Sequence, residues 1–181
     1  MKFNKSKSRV DGQKGFTLIE ALVVMIVGIV ILAAAAAGIG KLFRSSEIST
    51  EAENITQMSA TLKNLKNGAN GYDGLSNKLA VDYKAVPATM TSSVDGDSTK
   101  LFNTWNGPVD ISPTSGNQAF QISYGLVPSE ACQQLALKLR NAGWSSLTAD
   151  GTEIKSDTGL AAIATACSKE GGTTMVFVSS S

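Results

Sequence analysis

The stretch FTLIEALVVMIVGIVILAAAAAGIG, residues 16–40, constrains this chain more than any other: it is 25 residues long and Glu20 is its only charge. A helix of that length rises about 37 Å, enough to cross a hydrocarbon core about 30 Å thick. A helix apolar on every face needs lipid or other helices around it. Ahead of the run, residues 1–15 carry Lys2, Lys5, Lys7, Arg9 and Lys14 against Asp11 alone, a local net charge of +4. A basic head before an apolar run is retained on the cytoplasmic side of a membrane, so this order reads as an insertion signal.

The whole chain has 181 residues, 16 basic and 15 acidic, room for one compact domain behind the apolar segment. Once residues 1–15 are set aside the balance is −3. That is no footprint for nucleic-acid phosphates. The chain has no histidine, which removes Ser-His and Cys-His nucleophile pairs and histidine metal sites. Asp73, Asp82, Asp95, Asp97, Asp110 and Asp150 lie in turn-rich stretches, where solvated turn residues are the ordinary case. VDGDST, residues 94–99, lacks the full spacing of a calcium loop. Trp105 and Trp144 read as core aromatics beside a sheet, with exposed adhesion contacts as the rarer alternative. No enzymatic role, catalytic residue, metal or cofactor is expected.

Beyond Gly40 the pattern turns amphipathic. Lys41 and Arg44 open it, and Ile48, Ala52, Ile55, Ser59, Leu62 and Leu65 then recur at steps of three and four. One helix is expected over about 16–67, ending where Gly68, Gly71 and Gly74 interrupt. Residues 68–100 read as a structured loop with a short helix. LFNTW at 101–105, VDI at 109–111 and AFQISYGL at 119–126 read as antiparallel strands separated by Gly, Pro and Asn breakers. A helix over 128–142 stops at Gly143, a shorter one over 160–168 carries Cys167, and TTMVFVSSS from Thr173 is a closing strand, central in the sheet.

The fold class is therefore α+β: a long N-terminal helix, half apolar and half amphipathic, packed on an antiparallel sheet head. The expected division is a basic leader at 1–15, an apolar helix at 16–40, and a head at 41–181 that includes an amphipathic helix over 41–67. Cys132 and Cys167, 35 positions apart, fit no C-x-x-C redox or zinc pattern. In an exported protein they would meet oxidising surroundings and form a disulfide, stabilising the fold by about 3 to 4 kcal/mol in the chain-entropy account. Two buried free thiols, acting as small apolar residues, are the alternative.

Glu20 is the residue whose chemistry needs explaining, because a carboxylate inside an apolar membrane helix costs roughly 2.5 to 3.5 kcal/mol on insertion scales unless it finds a partner. The junction KGFTLIEALVVMIVGIVIL resembles the class III signal of type IV prepilins: a basic leader ending in Gly15, then Phe16, then Glu20 at the fifth place of the mature chain. The resemblance implies cleavage after Gly15, N-methylation of the new terminus at Phe16, and pairing of Glu20 with the Phe16 amine of a neighbouring subunit. Glu20 would thereby act as the assembly determinant. The rest of the chain extends the resemblance, since a long helix, a connecting loop, a strand-rich head and a C-terminal disulfide region are what type IV pilins show. The leader length fits the type IVb class. ENITQMSATLKNLKNGANGYDGL is similar to the corresponding stretch of bundle-forming pilins of enteric bacteria and of thin-pilus major pilins of conjugative plasmids. Phe16 departs from many type IVb pilins, which begin the mature chain with another apolar residue.

What the resemblance implies is a structural major subunit that polymerises with copies of itself, made in the bacterial inner membrane and ending in an extracellular pilus. Its partners would be a prepilin peptidase and methyltransferase, an inner-membrane assembly platform with its ATPase, and a host or recipient cell surface. Adhesion, aggregation and conjugative contact are all open, and no direct contact with nucleic acid is expected. A minor pilin or a type II secretion pseudopilin shares the N-terminal signal. Two readings without a filament also stay open: an ordinary anchor whose Glu20 snorkels to the headgroups, and a conventional signal peptide cut within Ala33–Ala37. Gly28, Gly38 and Gly40 add local flexibility, and the helix is expected to loosen or melt near one of them in a fibre.

Overall fold

The computed structural model describes residues 17–95 and 98–179; the leader, Gly15 and Phe16 lie outside the described residues. Helix α1 runs Leu18–Lys63, with no proline to break it, and passes uninterrupted through Gly28, Gly38 and Gly40. By contacts the chain forms two units, one ending at Phe43 and one from Arg44 to Ser181. In the first, the large apolar side chains from Leu18 to Phe43 are between 51% and 84% exposed.

In the second unit α1 obeys a different pattern. Ile48, Ile55, Met58 and Leu62 are buried and belong to one core with the sheet. Met58 takes the place expected for Ser59, which is half-buried, because the larger apolar residue one position earlier fits the same three-to-four step. Regular helix stops at Lys63 rather than near 67. Asn64 and Leu65 donate three residues back, to Thr61 and Leu62, tightening the last turn before the Asn- and Gly-rich stretch begins. Gly71 is required there: its φ is +60°, and a Cβ would lie 2.1 Å from the Asn117 carbonyl oxygen. The Tyr72 N–H donates to that same carbonyl at 2.7 Å.

The short helix expected in this region is α2, Asn77–Asp82, capped by Ser76, whose hydroxyl accepts from the Leu79 N–H. Seven strands follow the loop: β1 Thr91–Asp95, β2 Ser98–Phe102, β3 Pro108–Thr114, β4 Ala119–Val127, β5 Trp144–Ala149, β6 Thr152–Glu153 and β7 Thr173–Ser179. They pair antiparallel throughout in the order β1-β2-β3-β4-β7-β5-β6. The closing strand β7 is therefore interior, paired with β4 and β5, and its alternating Thr173, Met175, Phe177 and Ser179 are buried on one face. Asn77 pins α2 to β3, donating to the Val109 carbonyl at 3.0 Å and accepting from the Ile111 N–H at 2.8 Å.

Two helices complete the head. Helix α3, Ser129–Leu139, buries Ala131, Cys132, Leu135, Ala136 and Leu139, one amphipathic face. Helix α4, Leu160–Ala166, is capped at its C-terminus by Cys167. Cys132 and Cys167 are disulfide-bonded with Cα atoms 5.7 Å apart, so the alternative of two free thiols falls away. Three strands lay beyond the sequence reading. β1 pairs with β2 across residues 96 and 97, making a hairpin of what read as a loop. β5 and β6 lie between α3 and α4, joined by the Asp150–Gly151 turn, where both residues have positive φ.

Candidate functional site

The first candidate site is the apolar half of α1. Thr17 caps it: its hydroxyl accepts from the Glu20 N–H at 3.3 Å and its carbonyl from the Ala21 N–H at 3.1 Å. Thr17 and Glu20 stand at capping-box spacing. Glu20 is exposed and lies in the first helical turn, where the unpaired N–H groups of the helix end favour a negative charge. Glu20 is thus compatible with helix formation in the single chain. Among the described residues up to Gly40 it remains the only charged side chain, on a helix whose apolar groups have no cover from their own chain. Such a surface is stable only in lipid or against other helices. Of the other expected site residues, Cys132 and Cys167 are brought together, whereas Gly15 and Phe16 fall outside the described residues.

The second candidate is a buried polar network that the sequence reading missed. Glu51 is 2% exposed. Its Oε1 accepts from the Thr104 N–H at 2.6 Å, and its Oε2 accepts from the Tyr124 hydroxyl at 3.2 Å and the Asn54 side-chain amide at 3.3 Å. Asn54 in turn accepts from the Thr89 hydroxyl at 2.8 Å. One carboxylate on α1 therefore fastens the helix to β4, to the turn after β2, and through Asn54 to the segment before β1. Burial, then the charge of Glu51, then the hydrogen bond donated to it push the Tyr124 hydroxyl well above the usual tyrosine range. The only sequence signal is register: Glu51 falls between Ile48 and Ile55 at the three-to-four spacing of the buried face.

A second buried amide shapes the adjoining turn. Asn103 donates to the Gly125 carbonyl at 2.8 Å and accepts from the N–H groups of Trp105 and Gly107. Gly107 lies so close to β4 that a Cβ there would meet the Gly125 carbonyl oxygen at 1.8 Å. These contacts explain why β2 ends at Phe102 and not at Trp105.

An exposed apolar helix with one carboxylate, in a chain with a disulfide-closed antiparallel head, is the build of a type IV pilin. A crystal structure of the type IVb pilin from Salmonella typhi superposes with a TM-score of 0.62 at 25% identity, over 71% of this chain and 97% of that one. An NMR structure of the type IVb pilin PilS from Salmonella typhi is 22% identical, with a TM-score of 0.49 over 72% of this chain and 94% of that one. No curated protein matches the chain significantly. Residues 45–180 match the family described as PilS N terminal, and residues 11–36 match the prokaryotic N-terminal methylation motif. The chain belongs to the PilS N-terminal family of type IVb pilins, and it is a structural pilus subunit, not an enzyme.

Proposed function

We propose that this chain is the major subunit of a type IVb pilus and that it assembles through residues 16–40 after removal of its leader. Cleavage falls between Gly15 and Phe16, the Phe16 amine is methylated, and Glu20 pairs with that amine on a neighbouring subunit. The observation that carries this reading is the methylation motif over residues 11–36 leading into a helix whose apolar side chains are exposed on every face. In the membrane, lipid covers that face. In the fibre, like helices cover it, and the unpaired carboxylate is neutralised only when subunits dock in register.

On this reading residues 1–15 are a leader held in the cytoplasm, 16–40 the fibre core, and 41–181 the head, with the Cys132–Cys167 bridge closing its C-terminal region. A prepilin peptidase and methyltransferase act on the inner-membrane precursor, and an assembly platform with its ATPase lifts the subunits into an extracellular fibre. The fibre serves contact between cells, by adhesion, aggregation or mating.

The test is to express the chain with its cognate peptidase and assembly genes, shear the cells, and read the N-terminus of the surface protein by intact mass and fragmentation. N-methylated Phe16 as first residue, on the most abundant sheared protein, is the expected result. A trace component would point to a minor pilin, and a chain beginning after Ala33–Ala37 would mean an ordinary secreted domain. Glu20→Ala is expected to leave cleavage intact and abolish surface fibre.

A further inference from the structure

The head carries a cleft and a knob of matching character. The cleft, about 140 Å³, is lined by Ile48, Trp105, Pro128 and Ala131 and rimmed by Arg44, Glu47 and Glu130. Ile48 and Ala131 form a buried floor and Trp105 a half-buried wall. The three rim charges are exposed, and none has a hydrogen-bonding or ionic partner among the described residues. An apolar floor with an aromatic wall and a charged rim is the anatomy of an interface hot spot.

The knob is Tyr83, 61% exposed and flanked by exposed Asp82 and Lys84. An exposed tyrosine is ordinary on a mobile loop, but this one is held. It caps α2, and Lys84 then takes a left-handed φ of 54° so that the Lys84 N–H reaches the Val81 carbonyl and the Ala85 N–H the Ala80 carbonyl, at 2.9 and 2.8 Å. That double closure is a Schellman motif with lysine in the place usually given to glycine. With the backbone that carries the ring held in advance, less entropy is lost when a partner buries it. Tyr83 borders the residues just after α1 and the cleft borders its first head turn, so knob and hole lie roughly 25 Å apart along the helix.

We propose that Tyr83 of one subunit docks in the Trp105 cleft of a second copy of this chain. This rests on the filament reading above. Charge complementarity picks the occupant: the rim offers one cation and two anions, the knob one anion and one cation, so Arg44 meets Asp82 while Glu47 or Glu130 meets Lys84. Continuity along the sequence picks it as well, since Arg44 on the cleft rim directly follows Phe43, the last residue of the apolar unit. Because the two patches differ, the contact is heterologous, and each subunit offers one of each, which propagates into an open helical array.

Cysteine placed at Lys84 together with Glu47, or at Lys84 together with Glu130, tests the pairing in sheared pili. A ladder of dimers and higher multimers on non-reducing gels from at least one pair, absent from the single variants, is expected. Pili that assemble from both pairs yet run only as monomers would overturn the contact and leave the filament reading standing. Tyr83→Ala decides the matter if neither pair assembles. It should lower pilus yield at least tenfold without changing the melting temperature of the subunit, with Tyr83→Phe near wild type. Wild-type yield from Tyr83→Ala sinks the proposal, and absence of fibres from the unaltered chain sinks the filament reading beneath it.

Discussion

From Leu18 to Phe43 the large apolar side chains of α1 are all more than half exposed, whereas Ile48, Ile55, Met58 and Leu62 on the same helix are 3% exposed or less. The residue types hardly differ; what differs is who supplies the cover. The head half finds its sheet in its own chain, so its apolar face is one stripe with Glu53, Thr56 and Gln57 left to solvent. The first half is apolar all round, and cover must come from lipid or from other subunits. Charge follows the same division. Glu20 is exposed and, on the proposed assembly, finds its partner in another subunit, while Glu51, equally uncompensated in the sequence, is satisfied by Thr104, Tyr124 and Asn54.

One substitution made in both halves probes the difference most strongly. Leu62→Ala should cost the head about 3 to 5 kcal/mol, the upper range for a fully buried leucine. Leu22→Ala should leave head stability within about 0.5 kcal/mol, as for a surface site. Thermal or urea melts of detergent-solubilised subunits measure both, and equal effects at the two positions would break the comparison. Removing the disulfide with Cys132→Ser and Cys167→Ser together should cost about 3 kcal/mol, within the usual range for native bridges, read as a lower denaturant midpoint.

Glu51→Ala should cost about 2 to 3 kcal/mol, because the buried Tyr124 hydroxyl and the part-buried Thr104 N–H lose their acceptor. Glu51→Gln, which keeps an acceptor, should cost less, and a melt showing no loss for either variant would remove the network as a fastener. The smallest effect is on pH. Since the Tyr124 pKa is raised in the folded state, its contribution is intact below the ordinary tyrosine value of 10.0 and is lost progressively as pH climbs toward the folded value. Stability measured across that window should fall less steeply in Tyr124→Phe than in the unaltered chain.

The comparison also separates what could be read in the sequence from what could not. The apolar run, the phase of the head half of α1, the strands β3, β4 and β7 and the cysteine pairing were legible because each rests on composition or on a short period. Met58 was missed by one position, a shift that a helix of 3.6 residues per turn hides within its buried stripe. β1 and β5 were missed because their serines and threonines dilute the apolar alternation, although Gly96-Asp97 and Asp150-Gly151 are hairpin-type dipeptides. Asn103 carries no signal in the sequence, and Glu51 carries only its register on the buried face. Their roles depend on partners 53 and 22 positions away, and a glutamate on an amphipathic helix reads as solvated until the fold closes over it.

The claim that residues 16–40 form the core of a fibre is tested most directly by a density map of the sheared filament. Apolar helices bundled at the axis, with each Glu20 carboxylate beside the Phe16 amine of a neighbour, are the predicted result. A filament held together by the heads alone, with Glu20 facing solvent, would contradict it.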